Sequence, residues 1–202
     1  MTTATLLPLR ESNELVWFSE RSGWAHLYLY DLETGQLKWS ITQGDWMIRE
    51  ILHFDSKRRE LWFQAGGRVM GRDPYYLDIC RVNIDTGEIT TLASNDHSYT
   101  VLGSRTLISL FISAFDPDYS INTKGVSPDA RYIVATSSRA DQVPVSVLLD
   151  RNGEILLELE TADTSGLPEG WQWPEPVKLL AADGKTDIYG TVFRPSDFSP
   201  AK

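Results

Sequence analysis

The sequence of 202 residues has few of the features that mark several large classes of protein. Cys80 is the only cysteine, which excludes a disulfide within the chain. No apolar run approaches the ~18 residues of a membrane-spanning helix. Basic residues are scarce as well, since 19 lysines and arginines stand against 28 aspartates and glutamates and leave a net charge of -9. The sequence therefore predicts an acidic protein with no membrane span and no affinity for nucleic acid or anionic membranes.

The N-terminus offers no targeting signal. Its first residues, MTTATLLPLRESNE, contain no basic segment followed by a long apolar stretch, so no signal peptide is predicted in this chain. A single cysteine is compatible with the cytoplasm and does not exclude the periplasm. The localisation is therefore left open by the residues themselves.

Amphipathic helical patterns are also missing, and short strand-like runs take their place. Three such runs are Glu14 to Glu20 (ELVWFSE), His26 to Leu32 (HLYLYDL) and Gln36 to Thr42 (QLKWSIT), separated by glycine-containing turns. They are rich in β-branched and aromatic residues and lie about ten residues apart, as in a meander of antiparallel strands. The predicted fold class is all-β.

The strand pattern repeats along the chain. Trp17-Phe18 recurs 45 residues later as Trp62-Phe63, and DLETGQLK at 31–38 recurs as NIDTGEIT at 83–90. A weaker third copy runs through 131–160, where Asp-Arg-Asn-Gly forms the turn. Repeats of ~40 to 50 residues with four strands each are typical of propeller blades.

We therefore predict a partial β-propeller of about three four-stranded antiparallel blades. The predicted strands are 6–10, 15–19, 27–31 and 36–42 in blade one, 47–54, 60–64, 76–83 and 88–92 in blade two, and a strand from about 97, then 131–136, 145–150 and 154–160, in blade three. The insert at 101–120 is either an extra strand or an apolar lobe packed on a neighbour.

Three blades do not close a ring. Closed propellers usually have ~4 to 8 blades, so three leave two blade faces uncovered. Either further blades of a longer protein or additional copies of this chain are expected to cover them. After a Gly/Pro linker at 165–171, the stretch 173–200 predicts a short β-hairpin around Asp183-Gly184-Lys185.

No residue of this chain is assigned to catalysis, substrate binding or metal binding. His26 and His53 alternate with apolar residues in strands and are predicted to be packing or blade-surface histidines. Asp96, His97 and Ser98 are adjacent, so an extended backbone points them to alternate faces and they do not form a relay. The histidines lack the spacing of a transition-metal site, and no cofactor is expected.

Four further features have structural interpretations. Cys80 lies in an apolar run and is predicted to be a small buried residue. DPDYS at 116–120 is predicted to be a turn and not a calcium site, and AGGRVMGRDP at 65–74 a hairpin loop and not a phosphate cradle. Four tryptophans are predicted to fill the spaces between blades: Trp24, Trp39, Trp46 and Trp62.

Three stretches together resemble the dipeptidyl-peptidase IV branch of the prolyl oligopeptidase (S9) serine peptidases. They are SERSGWAHLYLYDLETG (19–35), SPDARYIVATSSRADQVPVSVLLD (127–150) and DGKTDIYGTVFRPSDF (183–198). In that family an eight-bladed propeller precedes an α/β-hydrolase domain with the catalytic Ser, Asp and His. The resemblance implies that 1–170 are the last three blades of the propeller. It also implies that 171–202 are a linker and the first strands of the hydrolase domain.

The chain departs from the family pattern at Ala130, where the family has the glycine of a Pro-Asp-Gly turn, and at Gln142-Val143-Pro144. The paired glutamates that bind the substrate amino terminus lie upstream in the family, and no Gly-x-Ser-x-Gly elbow occurs in these residues. No functional residue of the family therefore maps onto this chain.

The resemblance implies a non-catalytic propeller fragment of a secreted or periplasmic serine exopeptidase. The parent would release N-terminal dipeptides, and the propeller would gate and position its peptide substrates. The alternative is a stand-alone truncated β-propeller that serves as an interaction module without enzymatic activity, with a homodimer covering its open faces.

Overall fold

The computed structural model describes residues 6–101, 125–195 and 197–198, and these residues form an almost purely β structure. The strands, in chain order, are β1 (Leu6–Leu9), β2 (Glu14–Ser19), β3 (His26–Asp31), β4 (Leu37–Ser40), β5 (Met47–Asp55), β6 (Glu60–Gly66), β7 (Leu77–Asn83), β8 (Ile89–Ala93), β9 (Ser98–Val101), β10 (Tyr132–Arg139), β11 (Gln142–Asp150), β12 (Ile155–Thr161), β13 (Glu175–Leu180) and β14 (Asp187–Val192). A single short 3-10 turn, Arg10–Ser12, interrupts the described strands. The predicted all-β class is confirmed.

The strands form three sequential four-stranded antiparallel sheets and a separate hairpin. Blade one is β1–β4, blade two is β5–β8, blade three is β9–β12, and the terminal hairpin is β13–β14. The sheets follow one another without closing a ring, as expected for a partial propeller. The insert residues 102–120, with DPDYS at 116–120, lie outside the described residues.

The largest difference from the predicted strand boundaries is in blade three. β10 and β11 extend to Arg139 and Gln142, which pair with each other across a tight turn. Polar residues at 136–142 concealed this extension, because their side chains carry no apolar alternation to mark a strand.

Two apolar clusters lie between the blades. The first joins blade one to blade two and includes Val16, Phe18, Leu27 and Leu29 on one side and Ile51, Leu61, Phe63, Cys80 and Val82 on the other. The second joins blade two to blade three and includes Leu52, Trp62 and Ile79 on one side and Ile133, Ala135, Val147 and Leu149 on the other. Apolar burial between successive sheets therefore holds the three blades together.

The prediction that four tryptophans fill the spaces between blades is correct for three of them. Trp62 is fully buried between blades two and three, and Trp39 and Trp46 pack on the cluster between blades one and two. Trp24 belongs to neither cluster and is 37% exposed, so the prediction is wrong for this residue. It lies in the turn between β2 and β3, outside the strands that face a neighbouring blade.

The strand pairing of blades one and two repeats after 46 residues, whereas the matching Trp-Phe pairs in the sequence are 45 residues apart. Glu14 pairs with Asp31 and Glu60 with Asn83, at the same point of each blade, so blade two follows blade one by 46 residues in this strand. Trp17 is therefore equivalent to Phe63, not to Trp62. Because side chains alternate along a strand, this one-residue shift places Trp17 and Trp62 on opposite faces of their sheets.

Ion pairs at one corner connect successive blades. Arg59, in the β5–β6 turn of blade two, lies 2.6 Å from Glu14 of blade one and 2.7 Å from Asp85. Arg151, in the β11–β12 turn of blade three, makes an ion pair with Glu60 of blade two, so here a different turn supplies the arginine. Tyr132 stands at the equivalent position of blade three, so the series of glutamates ends there.

The turn between the third and fourth strand of each blade has the same construction. Asp31, Asn83 and Asp150 each accept backbone hydrogen bonds within this turn through the side chain. The turn glycines are Gly35, Gly87 and Gly153, all with positive φ. Asp183 caps the turn of the terminal hairpin in a similar way, with Gly184 at φ 65. The predicted hairpin around Asp183-Gly184-Lys185 is thus confirmed.

Candidate functional site

Both strand histidines, His26 and His53, lie inside the protein, so of the two predicted placements the structure shows packing and not the blade surface. His26 is 1% exposed; its Nε2 donates to the carbonyl oxygen of Gly44 at 2.9 Å, and its Nδ1 lies 3.1 Å from Thr42 Oγ1. Thr42 Oγ1 accepts in turn from the backbone N–H of Leu27. This network ties β3 to the segment that leads into blade two, which is a structural role.

His53 is also buried, at 3% exposure, and its Nδ1 has no hydrogen-bond partner. Its ring stands edge-on to Trp62, with ring centres 6.4 Å apart. Burial lowers the pKa of His53, and the charge of Asp55 opposes this shift only in part. His53 is therefore a packing residue between blades two and three.

The side chains of Asp96, His97 and Ser98 contact different partners, four residues in all. Asp96 pairs with Arg139, His97 contacts Asn95 Oδ1 at 3.1 Å and Gln142 Oε1 at 2.6 Å, and Ser98 Oγ accepts from the backbone of Leu77. None of these contacts joins one of the three side chains to another, since neighbouring residues of an extended chain point to alternate faces.

Cys80 is fully buried in the cluster between blades one and two. Burial raises the pKa of its thiol to about 11, although the nearby Arg68 guanidinium acts in the opposite direction. Arg68 Nη1 donates to Cys80 Sγ at 3.0 Å and to Thr91 Oγ1 at 3.1 Å. A thiol with this pKa is a poor nucleophile, in line with the predicted packing role.

Among the described residues, no cluster of three or more His, Cys, Asp or Glu side chains could hold a metal ion. In the same part of the chain, no helix has the length and apolar character needed to cross a membrane.

One concave feature of the described residues is a cleft of about 530 Å³ where blades two and three meet the terminal hairpin. We refer to it as the hairpin cleft. Its lining comes from four places: the β6–β7 loop, the start of β9, the end of β10 with the turn that follows it, and β14. The lining residues are Asp73, Tyr75, Tyr76, Ser98, Ser138, Arg139, Ala140, Tyr189, Gly190 and Thr191.

The β6–β7 loop, which supplies part of the cleft lining, is held in place by an almost fully buried ion pair. Arg72 Nη2 lies 2.7 Å from Asp78 Oδ1, and the two side chains are 9% and 1% exposed. Arg72 also donates to the carbonyl oxygen of Asn95 at 2.6 Å and to Ser94 Oγ at 3.0 Å. These bonds fix the β6–β7 loop, predicted as AGGRVMGRDP to be a hairpin loop, against the segment that enters blade three.

The hairpin cleft is lined by one acidic and one basic side chain, Asp73 and Arg139. Arg139 is shared between Asp96 and Asp141, the latter at 2.7 Å. Burial raises the pKa of Tyr76, so its hydroxyl group stays protonated at neutral pH. The cleft therefore offers aromatic faces, hydroxyl groups, the carboxylate of Asp73 and an arginine that is already paired.

Gly190, in β14, lines the hairpin cleft, and neither its backbone conformation nor its surroundings require a glycine at this position. A Cβ added there would contact only Val177 Cγ2, at 3.5 Å, and its backbone is outside the left-handed region. A side chain at 190 would therefore project into free space at the cleft. The position is suited to a variant that narrows the cleft without straining the fold.

The hairpin cleft was not found from the sequence. Tyr75 and Tyr189 are 114 residues apart and belong to separate sheets, so no local pattern links them. The Tyr75-Tyr76 doublet beside a glycine-rich loop was the one visible signal, and it is equally compatible with strand packing.

Comparison with known families gives one clear match. The model of the dipeptidyl peptidase IV (DPP IV) N-terminal region matches residues 2–142. A stretch of 47 residues, 23% of this chain, is 42% identical to dipeptidyl peptidase 4 of Arthroderma otae and covers 6% of that protein. A 47-residue stretch is also 40% identical to dipeptidyl peptidase 4 of Trichophyton rubrum, again over 23% of this chain and 6% of the relative.

A solved structure extends the similarity to nearly the whole chain. It is described as a dipeptidyl aminopeptidase IV from Bacteroides ovatus and superimposes with a TM-score of 0.68 at 24% identity. The match covers 98% of this chain and 27% of that one, so the chain spans about a quarter of its structural relative. At 24% identity this similarity is evidence for the fold alone. It extends over the three propeller-like sheets and the terminal hairpin of this chain.

Proposed function

Because the chain belongs to the family of dipeptidyl peptidase IV N-terminal regions, we propose that it works as a non-catalytic propeller segment of a serine exopeptidase. Residues 1–170 would be the last three blades of the propeller. Residues 171–202 would be the linker and first strands of an α/β-hydrolase domain that contains the catalytic serine. The parent would remove dipeptides from peptide N-termini by acyl transfer.

The observation that carries the proposal is the order of the parts. Three successive blades are followed by a hairpin whose apolar side chains are unusually exposed: Leu179 at 61%, Leu180 at 64%, Ile188 at 50% and Phe193 at 76%. A two-stranded hairpin is marginally stable by itself. Further strands that continue this sheet would bury these residues, as the first strands of a larger domain require.

In this proposal the hairpin cleft helps to position the peptide. It lies where the propeller segment meets the start of the proposed catalytic domain. Its tyrosine and serine hydroxyl groups can hydrogen-bond a peptide backbone, and the carboxylate of Asp73 can accept hydrogen bonds from a substrate. The blades would thus restrict access and orient the substrate without taking part in bond cleavage.

The first test compares this chain with the longest open reading frame that contains it in its genome. We expect the longer protein to hydrolyse a chromogenic Xaa-Pro amide and to lose activity with a serine-directed inhibitor, while residues 1–202 are inactive. A frame that stops directly after Lys202, or a longer protein without peptidase activity, would contradict the proposal and leave the interaction module as the explanation.

The second test concerns the hairpin cleft in the longer protein. Gly190→Leu should raise KM for a long peptide and leave kcat for a dipeptide amide unchanged, because only the long substrate reaches the cleft. Gly166→Leu is the matched control, since its Cβ would meet nothing within 4 Å outside the cleft. Equal KM values for both variants would exclude a positioning role for the cleft.

A further inference from the structure

Blade three contains the only Asn-Gly pair of the sequence, in the turn between β11 and β12. In blades one and two the residue before the turn glycine is a threonine, Thr34 or Thr86, and in blade three it is Asn152. Every other asparagine of the sequence precedes a residue with a side chain. Asn152 is therefore the one asparagine whose following peptide nitrogen, that of Gly153, is not crowded by a Cβ.

The side chain of Asn152 is exposed to solvent, and further chain beyond blade three need not cover it. Blade two provides the comparison, because it packs against blade one on one side and against blade three on the other. Thr86, which precedes the glycine of the same turn in blade two, is nevertheless exposed. Neighbouring blades thus leave this turn in contact with water.

In the closed turn of blade three, the nitrogen of Gly153 is not free to react. It donates a hydrogen bond to the carbonyl oxygen of Asp150 at 3.1 Å, and Asn152 Nδ2 donates to Asp150 Oδ2 at 3.4 Å. A Cβ at Gly153 would lie 2.8 Å from Leu92 Cα, so the backbone of this turn rests directly on blade two. Because the turn has no room to rearrange in place, the nitrogen becomes available only when the turn lifts away from Leu92.

We propose that Asn152 is a site of self-modification by deamidation, which takes place when the turn of blade three separates from blade two and then keeps the two apart. The reaction consumes only water and requires no enzyme or cofactor. The inference concerns the junction of two blades within this chain and does not depend on the proposed peptidase.

The reaction takes up water and releases ammonia. The nitrogen of Gly153 gives its proton to solvent and bonds to Asn152 Cγ. The bond between Cγ and Nδ2 breaks, and the amide nitrogen leaves as ammonia after taking a proton from solvent. Water then opens the resulting cyclic imide. Attack at Cγ gives aspartate at position 152, and attack at the main-chain carbonyl carbon gives an isoaspartyl linkage that runs through the side chain.

Either product hinders the return of the turn to its closed form. A carboxylate at position 152 would face Asp150 Oδ2, which now accepts a hydrogen bond from the Asn152 amide, so two like charges would meet. The isoaspartyl linkage adds a carbon to the main chain beside Gly153, where Leu92 leaves no space even for a Cβ. The modified chain should therefore have a weaker junction between blades two and three.

The test is mass spectrometry of peptides from the 202-residue chain after incubation at mildly alkaline pH, which favours loss of the proton from the Gly153 nitrogen. We expect deamidation at Asn152 to be at least tenfold faster than at any other asparagine, with isoaspartate among the products. Asn152→Thr, which gives blade three the residue of the other two turns, should abolish it. After separation by ion exchange, the modified chain should unfold at a lower urea concentration than the unmodified chain.

A second pair of variants tests the link to blade separation. Arg151 of the same turn pairs with Glu60 of blade two, so Glu60→Gln should loosen this junction and accelerate deamidation at Asn152 at least threefold. Glu14→Gln is the matched control and should leave the rate unchanged, because Glu14 pairs with Arg59 at the other junction. Deamidation no faster at Asn152 than elsewhere, equal rates in the two variants, or equal urea midpoints for modified and unmodified chains would each overturn the inference.

Discussion

Gly153 in the turn of blade three lies directly against the backbone of Leu92 in blade two. A Cβ at Gly153 would come within 2.8 Å of both the carbonyl carbon and Cα of Leu92, and φ at this position is 89°. The contact joins main chain to main chain, so no side-chain movement can relieve it. Close packing of the second and third blades thus requires glycine at this turn.

We predict that Gly153→Ala destabilises the protein by more than 2 kcal/mol, because the backbone strain and the clash with blade two add together. Gly184→Ala should cost only about 1 kcal/mol, since φ is 65° but nothing lies within 4 Å. Urea unfolding followed by tryptophan fluorescence measures both. Similar midpoints for the two variants would contradict the packing argument.

The family turn in which alanine replaces glycine gives a second prediction. Ala130 has φ 53°, a left-handed conformation that costs a non-glycine residue about 1–2 kcal/mol. Ala130→Gly should therefore be less destabilising than Ala135→Gly by about 1 kcal/mol, although both alanines are fully buried in the same cluster. Thermal and urea unfolding of the two variants provide the comparison, and a larger loss for Ala130→Gly would refute it.

Acid should weaken the corner between blades one and two. Burial raises the pKa of Glu14, but hydrogen bonds from Lys38, Ser12 and Arg59 outweigh it and lower the value to about 2. The stabilisation is present above about pH 4.5, the value in the unfolded chain, and is lost as pH falls toward 2. We expect Glu14 to account for about 1–2 kcal/mol of the loss of unfolding free energy between pH 5 and pH 2.

Glu14→Gln should remove this part of the pH dependence, and Glu175→Gln serves as the control. Glu175 pairs with Arg194 at 2.8 Å, but its carboxylate is 53% exposed and water screens the pair. Unfolding midpoints at several pH values would show the difference. An unchanged acid profile in Glu14→Gln would remove Glu14 from the explanation.

Because of His53, we also expect the unfolding free energy to depend on pH in a higher range than the one in which Glu14 titrates. Because its pKa is lowered by burial, the unfolded chain binds a proton near pH 6.5 while the folded protein does not. Stability should fall as pH decreases from 7.5 to 5.5, before Glu14 begins to titrate. His53→Phe should flatten this part of the profile, and a slope equal to that of the unmodified protein would show that another group titrates there.

The strands and their grouping could be predicted because each turn carries its own local signal. Asp31, Asn83 and Asp150 cap turns that end in glycine, and the strands between them contain β-branched and aromatic residues. The register could not be predicted in the same way. Trp17-Phe18 and Trp62-Phe63 match by letter, yet backbone pairing shifts them by one residue and reverses their faces.

Contacts between distant residues explain the rest of what sequence reasoning missed. The link of Arg59 to Glu14 and the meeting of Tyr75 with Tyr189 depend on how whole sheets pack, which local patterns do not encode. Trp24 has the same residue type and a similar spacing to the buried tryptophans, but it lies in a turn. Aromatic spacing alone does not tell a residue between blades from one at the rim.

The burial of Cys80 gives the protein an internal reporter of motion. It is the only thiol in the sequence and lies wholly within the cluster that joins blades one and two. A reagent that alkylates thiols can reach it only when these two blades separate locally. The labelling rate therefore measures how often the blades part from each other in the native state, and no engineered probe is needed to observe it.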